Sequence, residues 1–457
     1  MNRSEFVVIG GGPGGYACAF RAADLGLKVT LIDARSRLGG VCLNEGCIPS
    51  KALLHAAEVI KEARHMSDWG LSFGEPSINL EKLRATKDGI VATLTQGLGG
   101  LAKRRKVTLI EGQAKFVGPN TLEVDGRQIE FEKAVIAAGS SPISLAGWPD
   151  DPRIWNSTSA LELQRIPSRL TIVGGGIIGL EMATVYAALG SKVTVIEMSP
   201  QIAGTADKEC TAILHQALID DGITIHTETK VTEVTSTEAA IKLSCEGVFE
   251  GVIEADNVIQ AVGRQANGRA LSLEIAKVDM LDNGIIPVDE QCRTNQPNIF
   301  AIGDITGNPM LAHRATHQGH VAAEVAAGHP AAMESALVPS VAYTQPELAW
   351  VGLTEAQAKT EGIAVKTTSF PWAASGRNLA SGGGAGLSKL LYCPQTQRIL
   401  GGAIVGRGAG ELLSEITLAI ELGATLEDIA LTVHAHPTLS ETIAFSAERA
   451  LGTLTDL

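Results

Sequence analysis

One device occurs twice in this sequence and limits what the chain can fold into. Phe6–Ile9 is a short apolar run, Gly10-Gly11-Gly12-Pro13-Gly14-Gly15 comes next, and Tyr16–Leu25 has helical spacing. Gly26 stops that helix, Lys28–Ile32 reads as a second strand, and Asp33 closes it. Leu170–Val173, Gly174-Gly175-Gly176-Ile177-Ile178-Gly179, Leu180–Leu189, Gly190, Lys192–Ile196 and Glu197 repeat the order. From first glycine to helix-ending glycine to acid the steps are 16 and 7 residues in both copies, and both second strands begin Lys-Val-Thr. Strand, glycine turn and helix bring a pyrophosphate against the helix N-terminus, and the acid takes a ribose hydroxyl. A single turn of this kind is a weak motif; its repetition at fixed spacing is an internal duplication. The expectation is an α/β chain with two Rossmann-like halves, each able to hold a dinucleotide.

Gly39-Gly40-Val41-Cys42-Leu43-Asn44-Glu45-Gly46-Cys47-Ile48-Pro49-Ser50-Lys51 is the second constraint. A regular helix would hold Cα atoms five positions apart at roughly 8–9 Å. A disulfide needs roughly 4.4–6.8 Å. If Cys42 and Cys47 close, the backbone between them is distorted, and Asn44 and Gly46 tolerate that. Pro49 suits the start of a helix, and Lys51 falls on the Cys47 face, where its charge favours a thiolate. Two unrelated core cysteines are the alternative. The flanking glycines and the lysine weigh against it.

Composition narrows the class. The chain has 457 residues, room for about two to four domains, with 45% hydrophobic and 19% charged residues, as in ordinary globular proteins. A net charge of −13 argues against nucleic acid or an anionic membrane as partner. The seven cysteines are odd in number and scattered. Cys18, Cys210, Cys245, Cys292 and Cys393 read as reduced thiols, the pattern of a cytoplasmic protein with one special pair. Gly10–Gly15 interrupts the N-terminal apolar run and no membrane-length stretch lies beyond it, so no targeting segment is expected.

Between the glycine turns, 52–63 and 80–103 read as helices, and 107–109, 121–124 and 128–131 as strands. Ala134–Ala138 is a buried strand ending at Gly139-Ser140; Asn257–Val262 before Gly263 and Asn298–Ile302 before Gly303-Asp304 repeat that ending. An acid there faces a ligand crevice, or is a plain turn residue. Near Pro339 the pattern changes to paired strands, 387–392 and 399–405, and helices, 411–421 and 426–431, an α+β domain. It ends in His434-Ala-His436-Pro437-Thr-Leu-Ser-Glu441. Pro437 would place His436 at a helix entrance, as a cap or, with Glu441 orienting it, as a general acid/base. The domains expected are 1–148, 149–268, 269–336 returning to the first, and 337–457.

Two dinucleotide sites and one reactive dithiol imply two-electron traffic between a nicotinamide and a disulfide, which a flavin can mediate. GGVCLNEGCIPSKAL (39–53), GGGIIGLE (174–181), NIFAIGD (298–304), MLAHRA (310–315) and HAHPTLSE (434–441) closely resemble the pyridine nucleotide–disulfide oxidoreductases. The resemblance spans nearly the whole chain. It implies two Rossmann-like FAD- and NAD-binding domains plus an α+β dimerisation domain, no metal, and a homodimer with each site completed by the partner. It implies FAD held by Gly10, Gly12, Gly15, Asp33, Lys51, Ala114, Ala138, Gly139, Ser140, Asp304, Met310, Leu311, Ala312 and His313. NAD would lie on Gly174, Gly176, Gly179, Glu197, Val231 and Gly263. Cys47 would be the thiol beside the flavin and Cys42 the one that exchanges with substrate. Glu181 would pair with Lys51, and His436, oriented by Glu441, would deprotonate a substrate dithiol. The motifs match most closely those implying a protein-bound lipoyl dithiol as substrate and lipoyl domains as partners.

Three departures stand out: Ala138 where the family usually has threonine, Ala266 where it usually has proline, and the glycine-rich Ser381–Gly386. None touches the dithiol, Lys51 or His436. A glutathione-type reductase would want basic residues after Glu197, and Met198-Ser199-Pro200-Gln201 has none. Another small disulfide as substrate, or a flavin-bearing structural subunit without turnover, are the alternatives; the intact dithiol, base and lysine oppose the latter.

Overall fold

The computed structural model describes residues 2–333 and 337–455. The chain divides into two compact units. One comprises Met1–Ala52, Glu81–Ile143 and Gly263–Ala336; the other comprises Leu53–Leu80, Ser144–Val262 and Leu337–Leu457. The boundary expected at 336 lies outside the described residues.

The first unit is built on β1 (Asn2–Ile9), α1 (Pro13–Asp24), β2 (Val29–Asp33), α2 (Gly40–Glu45), β3 (Thr108–Glu111), β4 (Ala114–Gly118), β5 (Thr121–Val124) and β6 (Arg127–Ile136), and helix α3 (Cys47–His65) begins in it and continues into the second unit after Ala52. Its seven-stranded sheet runs β3-β2-β1-β6-β5-β4, with strand Ile299–Ala301 also on β6. The pairs β3–β2, β2–β1, β1–β6 and β6 with Ile299–Ala301 are parallel; β6–β5 and β5–β4 are antiparallel. Ile9 is in register with Ile32 and Ile136, and Ile136 with Ala301. The turns after these parallel strands therefore emerge along one carboxyl edge, where doubly wound sheets bind ligands. Both faces are covered: Phe6, Val8 and Leu31 pack under α1 and helix Ala312–Ala326, while Val7, Ile9, Phe116 and Phe131 pack on the other side. Residues 128–131 and 134–138, which read as two strands, are one: exposed Glu132 and Lys133 interrupt the apolar pattern without interrupting the ladder. Helix α3 starts at Cys47, five residues before the expected 52.

In the second unit a five-stranded parallel sheet, Thr224–His226, Lys192–Ile196, Arg169–Val173, Asn257–Gln260 and Ile154–Trp155 in spatial order, carries helix Ile177–Ala188. An antiparallel three-stranded sheet, 229–255, packs Val234, Ile241 and Leu243 against Val173 and Ile196. The C-terminal part is an antiparallel sheet in the order 340–342, 347–352, 399–406, 387–392, 366–371. Helices Ala409–Glu421, Leu426–Leu431 and Glu441–Leu451 bury Leu413, Ile416, Ile429 and Ile443 with it. Among the described residues no helix is long and apolar enough to cross a membrane.

Candidate active site

At the first carboxyl edge, Gly10 turns with φ +107°, and a Cβ there would run into the Ala137 carbonyl, so only glycine fits. Gly12 caps α1 in extended conformation with no side-chain cap, leaving the first amides of the helix facing outward. A Cβ on Gly12 would meet only the Gly40 Cα at 3.8 Å, which marks open space before the helix. Asp33, at the end of β2, accepts the Gly11 amide and, at 2.7 Å, the Arg35 amide. Along the same edge Ser140 donates to Asp304 at 2.5 Å, and Arg264 holds the Ser140 hydroxyl at 2.7 Å and its carbonyl at 2.6 Å. Asn267 binds the Ala138 carbonyl at 2.9 Å and donates its amide to Gly139 at 3.1 Å. Ala114 is buried in β4. Leu311 caps helix Ala312–Ala326 with backbone alone, so Ala312 and His313 lie in an uncapped first turn, with Met310 packed on the core just before it.

The dithiol lies against this edge. Gly39 donates its amide to Gly11 at 2.8 Å, and a Cβ on Gly40 (φ +56°) would stand 2.5 Å from the Gly12 Cα. Gly46, at φ −142° and ψ −108°, breaks the helical path between α2 and α3, the distortion the cysteine spacing requires. Cys42 and Cys47 are both reduced, and Cys42 hydrogen-bonds to Cys47. That bond, burial and the charge on Cys47 push the Cys42 thiol far up, against the opposing charge of Lys51. Cys42 therefore holds its proton tightly. Lys51, in α3, has its Nζ 3.3 Å from Ser50 Oγ. Burial lowers the Arg264 guanidinium, opposed by the charges of Asp304, Cys47 and Glu45. Burial, then the charges of Cys42 and Cys47, raise the Tyr16 phenol.

The second edge repeats the first. A Cβ on Gly174 would meet the Ala261 carbonyl, Gly176 caps its helix in extended conformation, and nothing stands within 4 Å of where its Cβ would be. Glu197 accepts the Gly175 and Ser199 amides, each at 2.7 Å. Gly179 lies in the first turn of the helix and Val231 packs beside Val173 and Ile196. Gly263 opens the segment counted with the first unit, its carbonyl accepting the Ile143 amide at 3.1 Å. Glu181 is buried on helix Ile177–Ala188 and accepts the Tyr343 amide at 3.2 Å.

In the C-terminal part, helix Glu441–Leu451 starts four residues after Pro437, so His436 is not at a helix entrance as the proline suggests. Glu441 itself reaches back, accepting from the Thr438 amide at 2.7 Å and lying 2.8 Å from His436 Nδ1. The His436 side chain is 80% exposed, with Nε2 pointing away from that bond. Burial raises the Glu441 carboxyl, but the Thr438 amide, the His436 bond and the charges of His436 and His434 outweigh it and hold it below the usual carboxylate range.

Residues 4–319 match the family described as pyridine nucleotide-disulphide oxidoreductase, and residues 338–447 match that family's dimerisation domain. The chain belongs to the pyridine nucleotide-disulphide oxidoreductases. The dihydrolipoyl dehydrogenase of Vibrio cholerae is 52% identical over 100% of this chain and 97% of its own length. That of Haemophilus influenzae is 51% identical over 100% and 96%. The solved structure of LpdA from Mycobacterium tuberculosis superposes with a TM-score of 0.89 at 26% identity, covering 98% of this chain and 100% of that one. The HOCl-induced flavoprotein disulfide reductase RclA from Escherichia coli does so at 0.87 and 26%, covering 97% and 99%.

A pyridine nucleotide-disulphide oxidoreductase needs FAD and a nicotinamide dinucleotide, and the chain has two cradles that fit them. Each has a glycine-capped helix start, open space before it, and a carboxylate at the neighbouring strand end. Tyr16 and Arg264 beside the dithiol, and His434 beside the His436–Glu441 pair, are residues that motif reading passes over. Tyr16 looks like any helical aromatic, and Arg264 reaches Ser140 from 124 positions away.

Proposed function

We propose that this enzyme oxidises a dihydrolipoyl dithiol, carried on a lipoyl domain, to its cyclic disulfide and reduces NAD⁺. It works as a cytoplasmic homodimer. Support comes from the relatives of the same name that match over the whole chain. The single observation that carries the chemistry is the Cys42–Cys47 thiol pair lodged against a dinucleotide cradle. FAD would lie on Gly10, Gly12, Gly15 and Asp33, with its flavin end toward Lys51, Ala114, Ala138–Ser140, Asp304 and Met310–His313. NAD would lie on Gly174, Gly176, Gly179, Glu197, Val231 and Gly263.

The chain's own residues do the thiol chemistry. His436 Nε2 takes the proton of one substrate thiol, and Glu441 holds the ring and stabilises the imidazolium. The substrate thiolate attacks Cys42 of the Cys42–Cys47 disulfide and Cys47 leaves as thiolate, giving a mixed disulfide. The second substrate thiol then displaces Cys42, which takes up a proton. The substrate is now a disulfide and the enzyme a dithiol, with Cys42 hydrogen-bonded to Cys47 as in this structure. Lys51 favours a thiolate at Cys47. Bound FAD supplies two-electron chemistry matching a dithiol to a hydride acceptor.

Anaerobic titration with dihydrolipoamide, followed at the flavin absorbance and then with NAD⁺, tests the reading. A long-wavelength thiolate–flavin band at one equivalent, and its disappearance with NAD⁺, are expected. A flavin that NADH reduces but dihydrolipoamide does not would rule the substrate out.

A further inference from the structure

The histidine two positions before the base has a proton count that its neighbours dictate. His434 lies in the segment between helices Leu426–Leu431 and Glu441–Leu451, its side chain only 8% exposed. Its Nδ1 is 2.8 Å from the Thr432 carbonyl oxygen and its Nε2 2.7 Å from Glu415 Oε1. A carbonyl and a carboxylate accept hydrogen bonds and do not donate them. A neutral imidazole offers one N–H, and two accepting neighbours call for two. The short contact to Glu415 is that of a charge-assisted bond. Thr432 is itself fixed to the end of the preceding helix, its hydroxyl 2.8 Å from the Asp428 carbonyl.

His434 and His436 thus have opposite designs on one short segment. His436 is exposed, with Nδ1 on Glu441 and Nε2 turned away from it. The His434 side chain is largely covered, with both nitrogens engaged. Glu415 stands on helix Ala409–Glu421, so the bond to His434 crosses from the segment to a separate packed element. Glu441 has the His434 charge in its surroundings as well as that of His436.

We propose that His434 is a positioning residue for dithiol oxidation. Protonated on both nitrogens, it ties the segment 432–440 to helix Ala409–Glu421 through Glu415 and so holds His436 where its free nitrogen meets the substrate. This rests on the reading of His436 as the base. Displacing a reacting group by about 1 Å can cost on the order of 100-fold in rate.

Neutron diffraction from crystals of the FAD-loaded enzyme grown near neutral pH reads the ring directly. Deuterium on both nitrogens of His434 is expected, and a single deuterium overturns the proposal. Kinetics reads the role. His434→Gln, which keeps a donor toward Glu415 alone, should lower dihydrolipoamide oxidation by about 10- to 100-fold. Glu415→Leu, on a helix face one-third exposed, removes the same tie without altering the segment and should fall in the same range. Parent activity in Glu415→Leu overturns the proposal. In a His436→Gln background, His434→Gln should cost nothing further, because its effect runs through His436. An equal loss in both backgrounds makes it a general stability residue and overturns the role. If His436→Gln alone leaves oxidation intact, the assignment of the base fails, a result distinct from any of these.

Discussion

Gly39 donates its backbone amide to the carbonyl of Gly11 at 2.8 Å, so the segment that carries the dithiol is hydrogen-bonded to the turn that opens the first nucleotide cradle. The next residue brings the backbones closer still. Gly40 has φ +56°, and its Cβ would stand 2.5 Å from the Gly12 Cα. That distance leaves no room for any side chain, and the obstacle is backbone, which cannot swing aside.

Gly40→Ala should therefore damage two functions at once. The turn at Gly12 must shift, which weakens FAD retention, and α2 must tilt, which moves Cys42. The expectation is a purified protein with substoichiometric flavin and a lower Tm than the parent. Gly99→Ala, where the added methyl meets nothing within 4 Å, is the control. Full flavin content in Gly40→Ala would count against the coupling.

The dithiol roles have a spectroscopic test. If Cys42 exchanges with substrate and Cys47 lies beside the flavin, Cys42→Ser should leave a thiolate at Cys47, favoured by Lys51 and the start of α3. A long-wavelength charge-transfer band is expected in FAD-loaded Cys42→Ser and not in Cys47→Ser. The reverse pattern would exchange the roles.

How much of this was legible in the sequence depended on whether a residue's reason is local. Gly10 and Gly174 are demanded by a carbonyl that any Cβ would strike, and such positions admit one residue type, so the turns stand out. Gly46 is legible for a similar reason. The three-stranded sheet at 229–255 was not, because Thr, Lys and Glu dominate its outer face and the inner residues, Val234, Ile241, Leu243, Cys245 and Ala255, are spread over three short strands. Strand 340–342 is only three residues long and pairs with 347–352, and the polar strand 366–371 gains its partner only when 387–392 is in place. The Arg264–Ser140–Asp304 cluster joins residues more than 120 positions apart, and the Glu415–His434 pair has no helical spacing to announce it. Pro437 misled because proline marks turns as readily as helix starts.

Cofactor choice is expected to rest on Glu197. Its carboxylate is aimed by the Gly175 and Ser199 amides toward the place where a ribose would sit, and it would repel a 2′-phosphate. NAD⁺ should be preferred over NADP⁺ by at least about 1.4 kcal/mol, a tenfold ratio of kcat/KM. Glu197→Arg should narrow or reverse it. Equal kcat/KM values in the parent enzyme would sink this.

Acid stability has a marker at Asp151. The Arg153 guanidinium, at 2.7 and 3.0 Å, and the Ser236 hydroxyl hold the Asp151 carboxyl well below the usual carboxylate range, against the burial that opposes them. A depressed carboxylate contributes stability that is whole above its unfolded value, about 3.9, and is lost as pH falls through the folded one. Asp151→Asn should lower Tm at neutral pH, and the gap to the parent should close as pH falls below about 4. A gap that stays constant to the lowest pH at which the protein folds would mean the carboxylate charge is not what counts.

The last prediction concerns where the base acts. The dithiol stands near the start of the chain and His436–Glu441 near its end, in different units. The family's dimerisation domain, at 338–447, contains the His436–Glu441 pair. A substrate thiol with a pKa near 8.5 is mostly protonated at pH 7, so attack on Cys42 needs a base, and an imidazole held by a carboxylate is suited to it. Removing a general base typically costs about 10²–10⁴-fold. His436→Gln should therefore cut dihydrolipoamide oxidation by about 100-fold or more, with FAD still bound. If the base serves the dithiol of the partner chain, two inactive variants can repair each other. Cys42→Ser and His436→Gln, unfolded together and refolded with FAD, would form mixed dimers with one site lacking both groups and one site complete. Activity should return in the mixture and in neither variant refolded alone. If mixed dimers form and no activity returns, base and dithiol belong to the same chain.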